Sequence, residues 1–339
     1  MVATFIAYRG ATWTVPDACE RQHASLLPQA ATRRCVFAAL SAPAGAAIFG
    51  HLNYLLTRPA ACGMIAAPYD FSLPELPVTD TQAPLILTEV KDRVMTIRLN
   101  RADKKNALTQ GMYTAMEQAV TEAAGNPEVR VVLFVGSGGS FCAGNDLQDF
   151  LKLDHNTPRE QNPVLRFMHA LAALAKPVVA AVQGPAIGIG ATMLFHCDLV
   201  YAGQNARFQF PFVNIGICAE FASTYLLPRI VGHVKASELL LFGEPFTAAV
   251  AEASGIVNSV HADDEVEAHA LARALKLACQ PPNALRVNKM LLKRWRQAEV
   301  SEAIPLEADH FIPMLRQPEA IEAMTAFIAK RKPDFSKFN

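Results

Sequence analysis

The chain has 339 residues, 51% hydrophobic and 18% charged, which is enough for one large domain with an extension or for two smaller domains. Lys plus Arg (31) equals Asp plus Glu (31), so net charge excludes the strong basic or acidic balance expected of a nucleic-acid or membrane-surface binder, and an anionic ligand has to be met locally. Seven cysteines are scattered, with no C-x-x-C pair and no Cys/His cluster at ligand spacing, which argues against zinc and for a reducing, cytoplasmic setting.

Residues 1–84 mix Arg9, Arg21, Arg33 and Arg34 with Pro, Ala and isolated aromatics and carry neither helical nor strand periodicity. They read as a poorly ordered N-terminal extension: a leader, a targeting segment, or the product of a start placed upstream of Met64. The apolar run from Cys35 to Leu56 is broken by Ser41, Pro43, His51 and Asn53, which argues against a spanning helix, and no signal-peptide cleavage pattern stands out.

From Leu85 the pattern sharpens. Leu85 to Val90 and Val94 to Leu99 flank a polar Lys91-Asp-Arg93 turn and predict a hairpin. Thr109 is placed to cap a helix with Met112, Met116, Ala119, Val120 and Ala123 on one face, closed at Gly125. Val129 to Val135 is a β-branched run expected of a strand covered on both faces. A helix over Val164 to Ala175 follows, then strands at Val178 to Val182, Leu199 to Ala202 and Ala206 to Phe210. Strands alternating with helices predict an α/β fold with crossover connections. Beyond His233 the spacing is mostly helical: Ala236 to Phe242, Glu265 to Cys279, Pro282 to Trp295 and Pro318 to Lys330. The domain reading is an extension over 1–84, a core over 85–275 and a C-terminal helical region over 276–339.

Two glycine-centred turns each leave a strand-like run, Ser140-Phe-Cys-Ala-Gly-Asn-Asp-Leu147 and Gly184-Pro-Ala-Ile-Gly-Ile-Gly-Ala191. Turns of this kind are able to aim two backbone N–H groups at one oxygen. A dinucleotide fingerprint is excluded because Gly136-Ser-Gly-Gly-Ser-Phe141 and Gly188-Ile-Gly-Ala-Thr-Met193 lack its last glycine. No Gly-Lys-Ser/Thr follows the glycines, which removes a phosphate loop, and no G-x-S-x-G elbow is present, so Ser137 and Ser140 read as turn residues.

The order of these segments resembles the crotonase, or enoyl-CoA hydratase/isomerase, superfamily. The likeness runs through Leu99-Asn-Arg-Ala-Asp-Lys-Lys-Asn-Ala-Leu108, the Phe-Cys-Ala-Gly-Asn-Asp-Leu turn, Lys176-Pro-Val-Val-Ala-Ala-Val-Gln-Gly-Pro-Ala-Ile-Gly188, Cys197-Asp198 and Phe208-Gln-Phe-Pro211. It continues through Asn214-Ile-Gly216, Gly255-Ile-Val-Asn258 and Pro281-Pro-Asn-Ala284. The resemblance implies a ClpP/crotonase-like fold of repeated ββα units with a C-terminal helical region. It implies an oxyanion hole from the backbone N–H groups of Asn145 and Ile189, with the helix near Gly190 adding its positive end. Lys105, Ala107, Ala143, Asp146, Leu147 and Gly188 match positions lining an acyl-CoA channel, although Lys105 also reads as a solvated surface charge. A homotrimer or hexamer is implied, with an acyl-CoA thioester as substrate partner, CoA present only as part of that substrate, no metal, no nucleic acid and no membrane. The end of the last helix, Lys330-Arg-Lys332 beside Phe327 and Phe335, reads either as a solvated end or as the cover of a CoA adenine.

The acid selects the reaction. Hydratases of this family use two glutamates; in this chain those positions hold Thr192 and Phe212. Glu220, in Asn214-Ile-Gly-Ile-Cys-Ala-Glu220-Phe-Ala-Ser-Thr-Tyr, matches the single acid of Δ3,Δ2-enoyl-CoA isomerases and is the expected catalytic base. Its apolar neighbours predict desolvation and a raised pKa; the bland alternative is a structural Glu at a helix N-terminus. Other crotonase reactions (hydration with an unusual partner, thioester hydrolysis, decarboxylation) and a non-catalytic acyl-CoA-binding protein stay open. Asp198 reads as structural, His196 and His233 as packed or surface groups, and Cys142, Cys197 and Cys218 as small hydrophobes.

Overall fold

The computed structural model describes residues 83–150 and 158–338. All but the last two positions of the 1–84 extension, including the apolar run from Cys35 to Leu56, lie outside the described residues.

The hairpin forms as expected. β1 (Ile86–Lys91) and β2 (Val94–Leu99) pair antiparallel with Ile86 opposite Leu99. Asp92 and Arg93, at φ 49° and 66°, close a turn whose left-handed residues match the twist of the strands. α1 (Gln110–Gly125) starts where Thr109 accepts the Met112 N–H and buries Met112, Tyr113, Met116, Ala119, Val120 and Ala123. β3 (Val131–Gly136), α2 (Pro163–Ala173), β4 (Val178–Val182), β5 (Pro185–Ile187) and α3 (Ile189–Thr192) follow. Next come β6 (Leu199–Gly203), β7 (Arg207–Gln209), α4 (Ser223–Val231), α5 (His233–Phe242), β8 (Phe246–Thr247), α6 (Ala248–Ala253) and β9 (Ser259–His261). The chain ends in α7 (Val266–Ala278), α8 (Pro282–Met314) and α9 (Pro318–Ile328).

Among the described residues the larger sheet has the order β1-β2-β3-β4-β6-β9 and is parallel apart from the β1/β2 hairpin. All six residues of β3 are buried because both faces are covered. Val132 and Phe134 pack with α1 and α2, whereas Val131, Leu133 and Val135 pack with Val266, Ala270 and Ala274 of α7. A smaller sheet, β5-β7-β8, stands beside it and carries the second glycine turn.

Two expectations are corrected. The helix expected to end near Trp295 runs on to Met314, because its later turns bury Val300, Ile304, Glu307, Ala308 and Phe311, and packing outweighs the internal Pro305 and Pro313. The helix expected near Gly190 is a single α turn, Ile189–Thr192, that tightens into a 3-10 turn at Met193–His196, so its end carries less of a dipole than a full helix.

Candidate active site

The two glycine turns converge because the chain pairs them. The Cys142 N–H donates to Pro185 O at 2.9 Å and the Ile187 N–H to Cys142 O at 3.0 Å, a parallel bridge of Cys142 with Ala186. On the other side of the first turn, the Leu108 N–H donates to Gly144 O at 2.8 Å and the Asp146 N–H to Leu108 O at 2.9 Å. Three segments thus lie side by side: 105–108, 142–146 and 185–189. Neither the Asn145 N–H nor the Ile189 N–H has an acceptor among the described residues, and Ile189 opens a helical turn whose first N–H groups have no acceptor within the helix.

Glycine is required here by conformation and by space. Gly188 sits at φ 56°, ψ −121°, a region closed to side chains, and directs the chain into α3. A Cβ on Gly190 would fall 2.7 Å from both Cβ and O of Cys142, so only glycine lets the second turn press against the first.

The expected channel residues are distributed around these segments. Ala107, Ala143 and Gly188 belong to the paired segments themselves, and Lys105 O accepts the Ala143 N–H at 3.0 Å. Lys105 is exposed and left-handed at φ 51°. The Asp146 carboxylate is committed to structure: it takes Arg101 Nη1 at 2.7 Å and the N–H groups of Gln148 and Asp149 at 3.0 and 3.1 Å. The Leu147 side chain lies outside the described residues. Of the terminal cations, Arg331 pairs with Glu322 at 2.6 Å, whereas Lys330, Lys332 and Phe327 are exposed.

Glu220 is buried, 6% exposed, in a loop between β7 and α4, three residues before the helix starts rather than in it. Ile217, Ala219, Phe221 and Ala222 around it are buried as well. Burial, then the nearby Glu307 carboxylate, pushes its pKa up to about 8. Its charge reaches the oxyanion segment: after burial itself, Glu220 is the next cause raising the Tyr113 hydroxyl, and it also raises the Cys142 thiol, which burial pushes up to about 12. Thr192 and Phe212 are both buried, and the Thr192 hydroxyl has no hydrogen-bond partner among the described residues.

Three contributors were not legible from residue types. Tyr113, counted in the sequence only by its helix, donates its hydroxyl to Asn145 Oδ1 at 2.5 Å. Asn106, fully buried and left-handed at φ 57°, donates from Nδ2 to Ser137 O and Ser140 O at 3.0 and 2.6 Å, tying the 105–108 segment to the first turn. Glu307 arrives from α8 and accepts the N–H groups of Ala222 and Thr224, at 2.6 and 2.9 Å. Asn106 lies within the Leu99–Leu108 motif and Tyr113 only within the helix that Thr109 caps; nothing local marked Glu307.

The remaining polar groups are held in packing contacts or lie at the surface. Asp198 Oδ2 accepts the Val178 N–H at 2.7 Å and pairs with Lys289 at 2.6 Å. His196 stacks on Phe221 with ring centroids 3.9 Å apart, and burial pushes its imidazole down to about 3. His233 is exposed at the start of α5. Burial likewise pushes the Cys197 and Cys218 thiols up, to about 12 and 11.

Known proteins resemble this chain in sequence and in fold. The family model described as enoyl-CoA hydratase/isomerase matches residues 89–338. The rat protein named enoyl-CoA delta isomerase 2 is 34% identical over 252 residues, covering 73% of this chain; the chain spans 64% of that protein's length. The Escherichia coli protein named 2,3-dehydroadipyl-CoA hydratase is 32% identical over 251 residues, covering 74% of this chain and 98% of the other. A crystal structure of enoyl-CoA hydratase/isomerase from Pseudoalteromonas atlantica superposes with a TM-score of 0.71 at 37% identity, covering 74% of this chain and all (100%) of that one. Match length, identity and superposition agree, and the chain belongs to the enoyl-CoA hydratase/isomerase family and has the crotonase fold.

Proposed function

We propose that this family member is a Δ3,Δ2-enoyl-CoA isomerase in which Glu220 moves the proton and the amides of Asn145 and Ile189 hold the thioester oxygen. The observation that carries the reading is the placement of acid: Glu220 is buried and its charge acts on Cys142 of the first turn, while the two hydratase glutamate positions hold Thr192 and Phe212. A carboxyl raised to about 8 is poised both to take and to return a proton near neutral pH.

In this mechanism the Glu220 carboxylate removes a proton from C2 of a 3-enoyl-CoA. The C2–H electron pair forms the C1–C2 double bond of a dienolate, and the carbonyl electrons move onto the thioester oxygen. In this reading the two amides meet that charge, each lowering the barrier by about 3 kcal/mol by analogy with measured oxyanion donors. Glu220 then returns its proton to C4: the C3–C4 π pair forms the C4–H bond, the C1–C2 π pair moves between C2 and C3, and the oxygen's extra pair restores the thioester carbonyl. Proton transfer by a positioned side chain contributes about 10²–10⁴ in rate. No metal or redox cofactor enters any step.

The hydratase-named relative keeps water addition as the competing reading. Purified protein offered 3-enoyl-CoA and 2-enoyl-CoA in parallel tests it. The expected result is conversion of the 3-enoyl to the 2-enoyl thioester without hydroxyacyl-CoA, lost in Glu220→Gln with acyl-CoA binding retained. Hydroxyacyl-CoA from the 2-enoyl thioester, or full turnover by the variant, overturns the reading.

A further inference from the structure

The turn that follows Glu220 has an improbable backbone. Phe221 and Ala222 are consecutive non-glycine residues at φ 65° and 55°, a conformation kept only where the surroundings over-determine it. Those surroundings come from remote segments. Glu307, buried on α8, accepts the Ala222 N–H at Oε2 (2.6 Å) and both the Thr224 N–H (2.9 Å) and the Thr224 hydroxyl (2.5 Å) at Oε1. From the other side His196 stacks on Phe221, with its Nε2 2.9 Å from Phe221 O. Ala222 is the N-cap of α4 and offers no side-chain acceptor, so the Glu307 carboxylate performs the capping from another helix and brings negative charge to that helix start.

We propose that Glu307 is a positioning residue of the active site: its carboxylate clamps the left-handed Phe221–Ala222 turn that aims Glu220 and brings a second buried carboxylate to that loop. This rests on the reading of Glu220 as the base. The titratable groups coupled to Glu220 are Glu307 from α8, Tyr113 from α1, Cys142 from the first glycine turn and Cys218 from its own loop. Burial raises the tyrosine and both thiols, so they stay neutral and Glu307 is the one whose charge acts on Glu220. Burial, opposed by the Thr224 and Ala222 bonds, leaves Glu307 itself raised to about 7. Two buried carboxyls then titrate as a pair rather than as separate sites.

Glu307→Gln removes the charge and turns an amide NH₂ towards an N–H donor, whereas Glu307→Asp keeps the charge but shortens its reach. Two readouts are taken on the full chain: kcat and KM on 3-enoyl-CoA against pH, and the Glu220 carboxyl carbon titrated by NMR in ¹³C-glutamate-labelled protein, assigned with Glu220→Gln. For Glu307→Gln the acid limb of kcat and the Glu220 titration should both move down by roughly one pH unit, with plateau kcat reduced about tenfold and KM within about threefold. Glu307→Asp should lose plateau kcat while keeping the limb near its wild-type position. If the Glu307→Gln limb and the Glu220 titration both stay in place, the proposal is overturned even if plateau kcat falls. If the Glu220 titration moves but the wild-type protein isomerises nothing, the clamp stands and the isomerase reading fails. Should Glu307→Gln not fold, Thr224→Val carries the test: a fall in kcat at constant KM supports the clamp, and unchanged kcat overturns it.

Discussion

The Tyr113 hydroxyl donates to the Asn145 side chain at 2.5 Å, so a buried residue of α1 fixes the residue whose backbone N–H is one proposed oxyanion donor. Tyr113→Phe leaves Asn145 Oδ1 without that donor, and losing one partner of a buried hydrogen bond costs about 1–3 kcal/mol. The expected outcome is a fall in kcat on 3-enoyl-CoA of roughly tenfold, with a smaller change in KM, since oxyanion stabilisation acts on the transition state. Steady-state kinetics with a parallel melting curve checks it, and an unaltered kcat would show that Asn145 needs no such support.

The contact of Gly190 with Cys142 carries a second expectation. A methyl at position 190 would have to displace Cβ and O of Cys142, the residue that bridges to Ala186. Overpacking of this kind costs about 1–3 kcal/mol and parts the two turns. Gly190→Ala should lower the melting temperature and depress kcat more than KM; Gly125→Ala, where a Cβ meets nothing within 4 Å, is the matched control and should leave both unchanged.

How much of this was readable in the residues depends on the range of the interaction. The hairpin, the Thr109 cap and the doubly covered β3 follow from local spacing, and each forms as read, whereas the pairing of the two glycine turns joins segments distant in the chain. Short or remote determinants were hidden. β8 has two residues and borrows its pairing from β7, so no periodicity exists to detect it. α8 continues through two prolines because its far turns are buried, which no propensity reports. Glu307 reaches the Glu220 loop across the fold and was indistinguishable in sequence from other helical glutamates.

Asp198 was read as structural, and its partners give that reading a measurable form. Lys289 is 5% exposed and holds both Asp198 Oδ2 at 2.6 Å and Lys176 O at 2.5 Å. Asp198→Asn leaves a buried ammonium without its counter-charge, and breaking one side of a buried pair costs about 3–5 kcal/mol. Chemical denaturation should register most of that loss, while kcat/KM of the folded fraction stays within about twofold of wild type. A large fall in kcat with stability intact would instead place Asp198 in the reaction.

The raised Glu220 carboxyl fixes the direction of two pH dependences. As a base it must be ionised, so kcat should climb with pH through a limb near 8 rather than near the ordinary carboxyl value of 4.5. Stability runs the opposite way. Because the folded-state pKa lies above the unfolded one, the native protein binds the extra proton between about pH 4.5 and 8, and the unfolding free energy falls as pH rises through that window. Glu307, raised to about 7, adds a slope of the same sign from 4.5 to about 7. Replacing Glu220 by Gln removes the proton uptake and keeps the volume, so Glu220→Gln should gain stability over wild type on going from pH 6 to pH 9. Denaturant unfolding of both proteins at the two pH values measures the difference directly. A difference that is constant with pH would mean that Glu220 is ionised in the native state throughout, and the limb of kcat would then have to lie well below neutrality.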